Sequence, residues 1–336
     1  MTLDRFQILT QKYPALRLAV VGDFCLDRYL EIDPFHKEIS IETGLPVHNV
    51  VAVCAQPGGA GTILNNLVAL GIGTIYPVGF CGDDGEGYEL RRALAAQPGV
   101  RLDHFLQTTQ RRTFTYCKPL LMESGQPPVE LNRLDLKNWS PTPLEVTRQL
   151  TAAVETLAEQ VDALIVLDQV DIPETGVVTA ELLSTIHRVT LAKPQMRILA
   201  DGRRGLSGFP PLTFKMNRAE LARFFQATAE LEQIQAQASQ LARQNQREVF
   251  VTLAEQGILG AAPSGEIYHQ PALPVRGQID IVGAGDAVTA NLAAALTAAA
   301  SLREAVTLAN AAASIVIHQL GTTGTASVAQ IQQILF

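Results

Sequence analysis

The stretch "DIVGAGDAVTANLAAAL", Asp280–Leu296, decides how the chain is read. A β-branched run breaks at Gly283-Ala284-Gly285-Asp286 and passes at once into an alanine-rich helical pattern. Two glycines cost backbone entropy and a carboxylate beside apolar residues costs hydration, so the string needs a physical return. A Gly-Ala-Gly turn entering a helix leaves main-chain N–H groups pointing forward. With the helix dipole they form an anion site. Asp286 then falls in the first helical turn, either as a cap worth about 1 kcal/mol or as a general base beside the anion. The string alone leaves both readings open.

The surrounding pattern gives this turn a frame. Apolar runs at Arg17–Asp23, Thr74–Phe80, Ala163–Asp168, Arg197–Asp201 and Glu248–Ala254 read as buried strands. They alternate with helical stretches at Thr62–Leu70, Glu86–Ala96, Pro143–Gln160, Thr175–Leu191 and Ala219–Asn245. Such alternation predicts an α/β fold with a mostly parallel sheet covered by helices on both faces. Ligands then bind outside the carboxyl ends of the strands, where Asp23, Asp83, Asp84, Asp168 and Asp201 stand. Two segments break the pattern: Asp33–Val53 and Arg111–Leu136 alternate apolar and polar residues without a helical period. They read as antiparallel ribbons forming a small β lid, over about 28–55 and 108–136, on a single domain spanning 1–336. A lid excludes water from a reacting group; the alternative is an edge extension of the main sheet.

Bulk composition removes several classes. Of 336 residues 47% are hydrophobic, ample for a core, and the formal charge is -7 with no basic tract. That excludes a nucleic-acid surface as the main business. Cys25, Cys54, Cys81 and Cys117 are far apart and read as buried free thiols of a reducing compartment. The first residues lack a signal-peptide layout. Ala287–Ala300 carries Thr289, Asn291 and Thr297 and reads as a buried helix, not a membrane span. The expected location is cytoplasmic. None of the six histidines has metal-ligand spacing, and His318 reads as structural.

Two further motifs carry polar chemistry. "QPGGAGTILNNLVALG", Gln56–Gly71, is a second glycine cluster opening a helix. It is either a tight turn or a place where backbone approaches a polyhydroxylated ligand. "KMNRAELARF", Lys215–Phe224, sets Asn217 and Glu220 on one helix face. They form a capping box or supply oxygens to a Mg²⁺ shell through water.

Taken in order, "AVVGDFCLDRYL", "PGGAG…NLVALG", "VGFCGDDGEG", "NRAE", "VTLAEQG", "DIVGAGD" and "LANAAASIVIHQLGTTG" resemble the PfkB (ribokinase-like) carbohydrate kinases over nearly the whole chain. "GDFCLDRYL", "EISIETGLPV", "ELNRLDL" and "SLREAVTLANAAA" are most similar to the kinase domain of ADP-heptose pathway enzymes; the expected relation is to a stand-alone kinase. The resemblance implies a three-layer ribokinase-like fold and transfer of the γ-phosphate of ATP, with Mg²⁺, to a sugar hydroxyl; a monovalent cation is left open. It implies Asp286 as base, with Gly283, Ala284, Gly285 and Asp286 around the anion hole. Asp23, Asp27, Gly58 and Gly59 match sugar-contacting positions, with Thr62 beside them. Asn217 and Glu220 match the motif that helps place Mg²⁺ and phosphate, and Thr252, Gly257 and Asn310 fall in stretches lining the nucleotide pocket. The implied partners are a small-molecule sugar and a second copy paired through the lid, with neither nucleic acid nor membrane.

Four positions depart from the pattern. Thr62 replaces an asparagine, Val282 a threonine, "ADGRRG" a DPKG-like string, and Glu38 a lid arginine. Arg203 or Arg204 is expected to restore positive charge near Asp201, and Glu38 to repel a phosphorylated sugar. Arg28, Lys37, Arg111, Arg112 and Lys118 form either a basic pocket or solvated lid charges. The rival functions are a ligand-binding member of the fold without turnover, and a nucleoside kinase. A dehydrogenase is excluded, because no GxGxxG follows the first strand.

Overall fold

In this computed structural model residues 1–336 are described except 124, 227–229 and 322. The strands are β1 (Arg17–Gly22), β2 (Phe24–Ile39), β3 (Pro46–Gly59), β4 (Thr74–Gly82), β5 (Phe105–Thr108), β6 (Phe114–Leu121), β7 (Val129–Glu130), β8 (Leu134–Leu136), β9 (Ala163–Asp168), β10 (Arg197–Gly202), β11 (Thr213–Asn217), β12 (Val249–Thr252), β13 (Ile258–Ala261) and β14 (Ile267–Gln270). The helices are α1 (Leu3–Thr10), α2 (Ala60–Ala69), α3 (Gly85–Ala95), α4 (Leu144–Ala158), α5 (Ala180–Ala192), α6 (Arg218–Phe225), α7 (Leu231–Asn245), α8 (Ala284–Thr297), α9 (Leu302–Val316) and α10 (Val328–Leu335).

Four consecutive residues of β1, Leu18 to Val21, are buried because the strand is covered on both faces. Leu18 and Val20 join a cluster with residues of α1, α2, α8 and α9, while Ala19 and Val21 join one with residues of α4, α5 and α7. The alternation follows from the two-residue period of a strand. The sheet runs β14-β13-β12-β11-β10-β9-β1-β4-β5. It is parallel from β12 to β5, and β13 and β14 add antiparallel. With helices on both faces it makes three layers, and every parallel strand delivers its carboxyl end to one edge.

The second sheet is one unit rather than two ribbons. β2 pairs antiparallel with β3 but parallel with β6, and β6 pairs antiparallel with β7 and β8. Alternation in the sequence carries no information on which strand lies beside which, so the parallel join was invisible there.

Several elements differ from the sequence-based expectation. β11 was missed because a buried lysine, Lys215, interrupts its apolar run. α5 starts at Ala180, not Thr175, because Val177 N–H donates to Asp23 and Thr179 is the N-cap. The long helix expected over Ala219–Asn245 is α6 and α7, with Gln226 in the left-handed conformation closing α6. Of the cysteines, all free, Cys25, Cys81 and Cys117 are buried, but Cys54 is exposed because the outer face of β3 is uncovered. Among the described residues no helix is long and apolar enough to cross a membrane.

Candidate active site

The alanine-rich run forms α8, buried on all sides from Ala287 to Leu296, which explains why its residues show so little amphipathic patterning. Gly283 is its N-cap at φ +82°, a conformation that only glycine adopts without strain. A methyl group there would lie 3.4 Å from Thr323 Cβ and 3.5 Å from Thr62 Cγ2. The N–H of Ala284 turns back to Ile281 O at 3.3 Å, and the first ladder bond of the helix is Ala287 N–H to Gly283 O. The N–H groups of Gly285 and Asp286 therefore have no intrahelical acceptor, as the first turn of a helix requires.

The Asp286 carboxyl is partly exposed at the cleft floor. Loss of hydration and the nearby Asp201 push its pKa up to about 7, against the pull of Lys215. Lys215, on β11, is buried with its Nζ 2.8 Å from Asp201 Oδ2, an oxygen that also accepts from Thr289 of α8 at 2.8 Å. A methyl on Gly285 would stand 3.1 Å from that Nζ. The ammonium thus lies against the turn that opens α8. Burial disfavours its charge, but Asp201 outweighs burial and holds Lys215 protonated beyond its usual range.

On the β2 side, Asp27 is buried with Lys118 at 3.6 Å. Burial raises its pKa and Lys118 opposes the rise. Gly58 faces it so closely that a methyl would stand 2.6 Å from Asp27 Oδ2. Gln56 donates to Thr323 at 2.9 Å, bringing the second sheet against the turn below Gly283. Asp23 is set behind this wall: its carboxylate accepts from Gln169 N–H at 2.8 Å and Val177 N–H at 2.7 Å. Gly59, at φ +58°, packs on Asp23 O, and the adjacent Ala60 N–H donates to it.

Beyond α8 opens a cavity of about 680 Å³ lined by Asn217, Thr252, Gly257, Ala284, Gly285 and Asn310, among others. Asn310 donates to Pro271 O at 2.9 Å, fixing a wall of the cavity. At Gly257, φ is +91° and a methyl would stand 2.0 Å from Gln270 O. Asn217 and Glu220 form a complete capping box: both Glu220 oxygens accept from Asn217, and Asn217 Oδ1 accepts from Glu220 N–H.

A family model described as pfkB family carbohydrate kinase matches residues 16–329. The chain belongs to the pfkB family of carbohydrate kinases. Membership makes it an enzyme of the sugar-phosphotransferase class. The bifunctional protein HldE of Bradyrhizobium sp. (strain ORS 278) is 30% identical over 98% of this chain and 66% of its own length. Its namesake in Azorhizobium caulinodans is 33% identical over 91% and 61%. The pfkB chain thus spans at most 66% of these curated relatives. Among solved structures, ribokinase of Arabidopsis thaliana complexed with ribose and ATP aligns with TM-score 0.68 at 20% identity, covering 95% of this chain and 98% of that one. Phosphofructokinase-2 of Escherichia coli aligns with TM-score 0.73 at the same identity and coverage. At that identity both show the fold.

In this pfkB kinase the expected restoration of charge near Asp201 comes from elsewhere. Arg203 pairs with Asp171 at 3.2 Å and Arg204 with Asp168, while Lys215 serves Asp201. Lys215 was missed because a lysine in an apolar run looks like a strand edge; its signal was its place two residues before Asn217. The basic pocket does not assemble either. Arg28 is held by Glu86 and Glu89, Arg111 by Ser140, and Arg112 by Asp84. Asp84 caps α3 and Asp83 accepts from Gln107. Glu38 lies exposed and accepts from Asn49 at 3.1 Å. His318 is held by Ser314 O and Arg276 N–H, a structural role.

Proposed function

We propose that the chain transfers the γ-phosphate of ATP to a hydroxyl of a sugar or sugar derivative. The observation that carries this is Asp286, beside the free N–H groups of the α8 turn, between a nucleotide-sized cavity and the Asp27 wall. Asp27, Gly58 and Gly59 hold the acceptor, with Thr62 and Asp23 behind them. Asp286 takes the hydroxyl proton as the oxygen attacks phosphorus, the bond to the ADP oxygen breaks, and the proton leaves to solvent. Negative charge on the transferring phosphoryl meets the N–H groups of Gly285 and Asp286, the dipole of α8, and the Lys215 ammonium. Such transfer needs mainly alignment and charge neutralisation.

Thr252, Gly257 and Asn310 line the nucleotide. Among the described residues no group of three or more His, Cys, Asp or Glu could hold a metal. Because the Glu220 oxygens are engaged by Asn217, that pair fits Mg²⁺ only through water. The ion, bound with ATP, supplies charge neutralisation at the phosphates. The exposed apolar residues Phe35, Ile39 and Val53 of the second sheet, with Ile41 in its β2–β3 turn, support its reading as a lid that pairs with a second copy.

A coupled assay of ADP release with Mg·ATP, run on sugars, sugar phosphates and nucleosides beside Asp286→Asn, tests the proposal. Acceptor-stimulated release that falls ~10²–10⁴-fold in the variant is the expected result. Release that no acceptor stimulates, or that survives in Asp286→Asn, overturns it.

A further inference from the structure

The wall facing the acceptor has its cations already matched. Lys118 is paired with Asp27 at 3.6 Å, donates to Tyr29 Oη at 3.2 Å and lies 4.7 Å from that ring's centre. Arg133, close enough to influence Asp27, is paired with Asp135 at 3.2 Å and rests over the Tyr116 ring. Behind them Arg204 is bound to Asp168, and Lys137 and Arg203 both to Asp171. Lys37 stands ten residues beyond Asp27 along β2, roughly 30 Å of extended strand, at the exposed end of the hairpin beside Glu38.

What is left over is negative. Among the described residues Asp286 is in no ion pair, since Lys215 is bound to Asp201. Asp168 Oδ1 is buried without a hydrogen-bond partner. A wall rich in acceptor oxygens calls for a ligand that brings donors, and a hydroxyl both donates and accepts. It can donate to Asp27 and accept from Lys118 without separating them. An anionic substituent would have to draw Lys118 away, leaving a buried carboxylate uncompensated, or approach Asp27 and Asp286 against their repulsion.

Resting on the kinase reading above, we infer that the acceptor is an uncharged polyol, a free sugar or alditol, and that the Asp27–Lys118 pair discriminates against phosphorylated and carboxylated analogues. The discrimination is set by this inner pair. Glu38, expected from the sequence to do the repelling, is spent on Asn49 at the hairpin end.

The test is an ADP-release assay on aldoses, ketoses and alditols from tetroses to heptoses, each offered free and as its terminal phosphate ester. The expected kcat/KM for the best free acceptor exceeds that of its phosphate by at least ~10²-fold. Asp27→Asn, which leaves Lys118 without its carboxylate, is expected to narrow that ratio by ~10-fold or more. Preferential use of phosphate esters by the wild type overturns this inference and leaves the kinase reading standing. An unchanged ratio in Asp27→Asn, with the fold intact by circular dichroism, removes the pair from specificity. Turnover of no member above the Asp286→Asn level overturns the kinase reading and this inference with it.

Discussion

At the scale of single residues the charge balance of the proposed transfer site turns on Lys215. It is the cation lying against Gly285, and it is held by Asp201. Lys215→Met is expected to lower kcat by ~10²-fold, comparable with the loss of one oxyanion donor, with a smaller change in acceptor KM. It should also cost about 3–5 kcal/mol of stability, because Asp201 is left buried without its counter-charge; steady-state kinetics and denaturant melts check the two halves. In the proposed transfer Asp286, as the base, sets the pH dependence. A base is active when deprotonated, so with a pKa pushed up to about 7 the rate should rise through that pH and level off above it. The stability consequence has the opposite direction. The native state holds this proton to higher pH than the unfolded chain, so the contribution of Asp286 is lost as pH rises from the ordinary carboxylate range towards 7. Asp286→Asn is therefore expected to melt higher than the wild type at pH ~8. Equal melting temperatures there would argue against the raised pKa.

At the scale of elements the site is built from strand ends and the turns that follow them. β1 ends at Asp23, which takes two main-chain N–H groups of the segment after β9 and so joins neighbouring strand ends. β11 ends at Asn217, whose capping box starts α6. β12 and β13 meet at Gly257, where φ is +91° and the Gln270 carbonyl occupies the place of a side chain. Gly257→Ala is expected to destabilise the protein by about 1–3 kcal/mol and to raise KM for ATP more than KM for the acceptor, measured by chemical denaturation and initial rates. Five of the parallel strands were legible because burial on both faces writes an unbroken apolar run. β13, β14 and the first turn before α5 were not. Two are short antiparallel additions, and the third is held out of helix by Asp23, a residue more than a hundred and fifty positions away.

At the scale of the whole molecule the second sheet stands over the carboxyl edge of the main sheet, tied to it through Gln56 and Thr323. Its free end exposes Phe35 at 81% and Ile41 at 98%, large apolar side chains with nothing over them. If this face joins two copies, Phe35→Glu should convert a dimer to a monomer in sedimentation velocity, since a charge in an apolar interface is strongly disfavoured. A wild type that sediments as a monomer would refute the pairing.

By itself the sequence determined the layered α/β plan, the family, and the turn at Gly283–Asp286, because each is encoded locally in apolar period, glycine placement and motif order. The tertiary structure alone decided how the charges are shared. It assigned Lys215 to Asp201, spent Arg203 and Arg204 on other carboxylates, closed Lys118 on Asp27 and carried Glu38 away from the cleft. Coulomb interactions act through space at distances of a few ångströms, and which charges come that close is set by strand order and register, to which the linear order of residues gives no direct access.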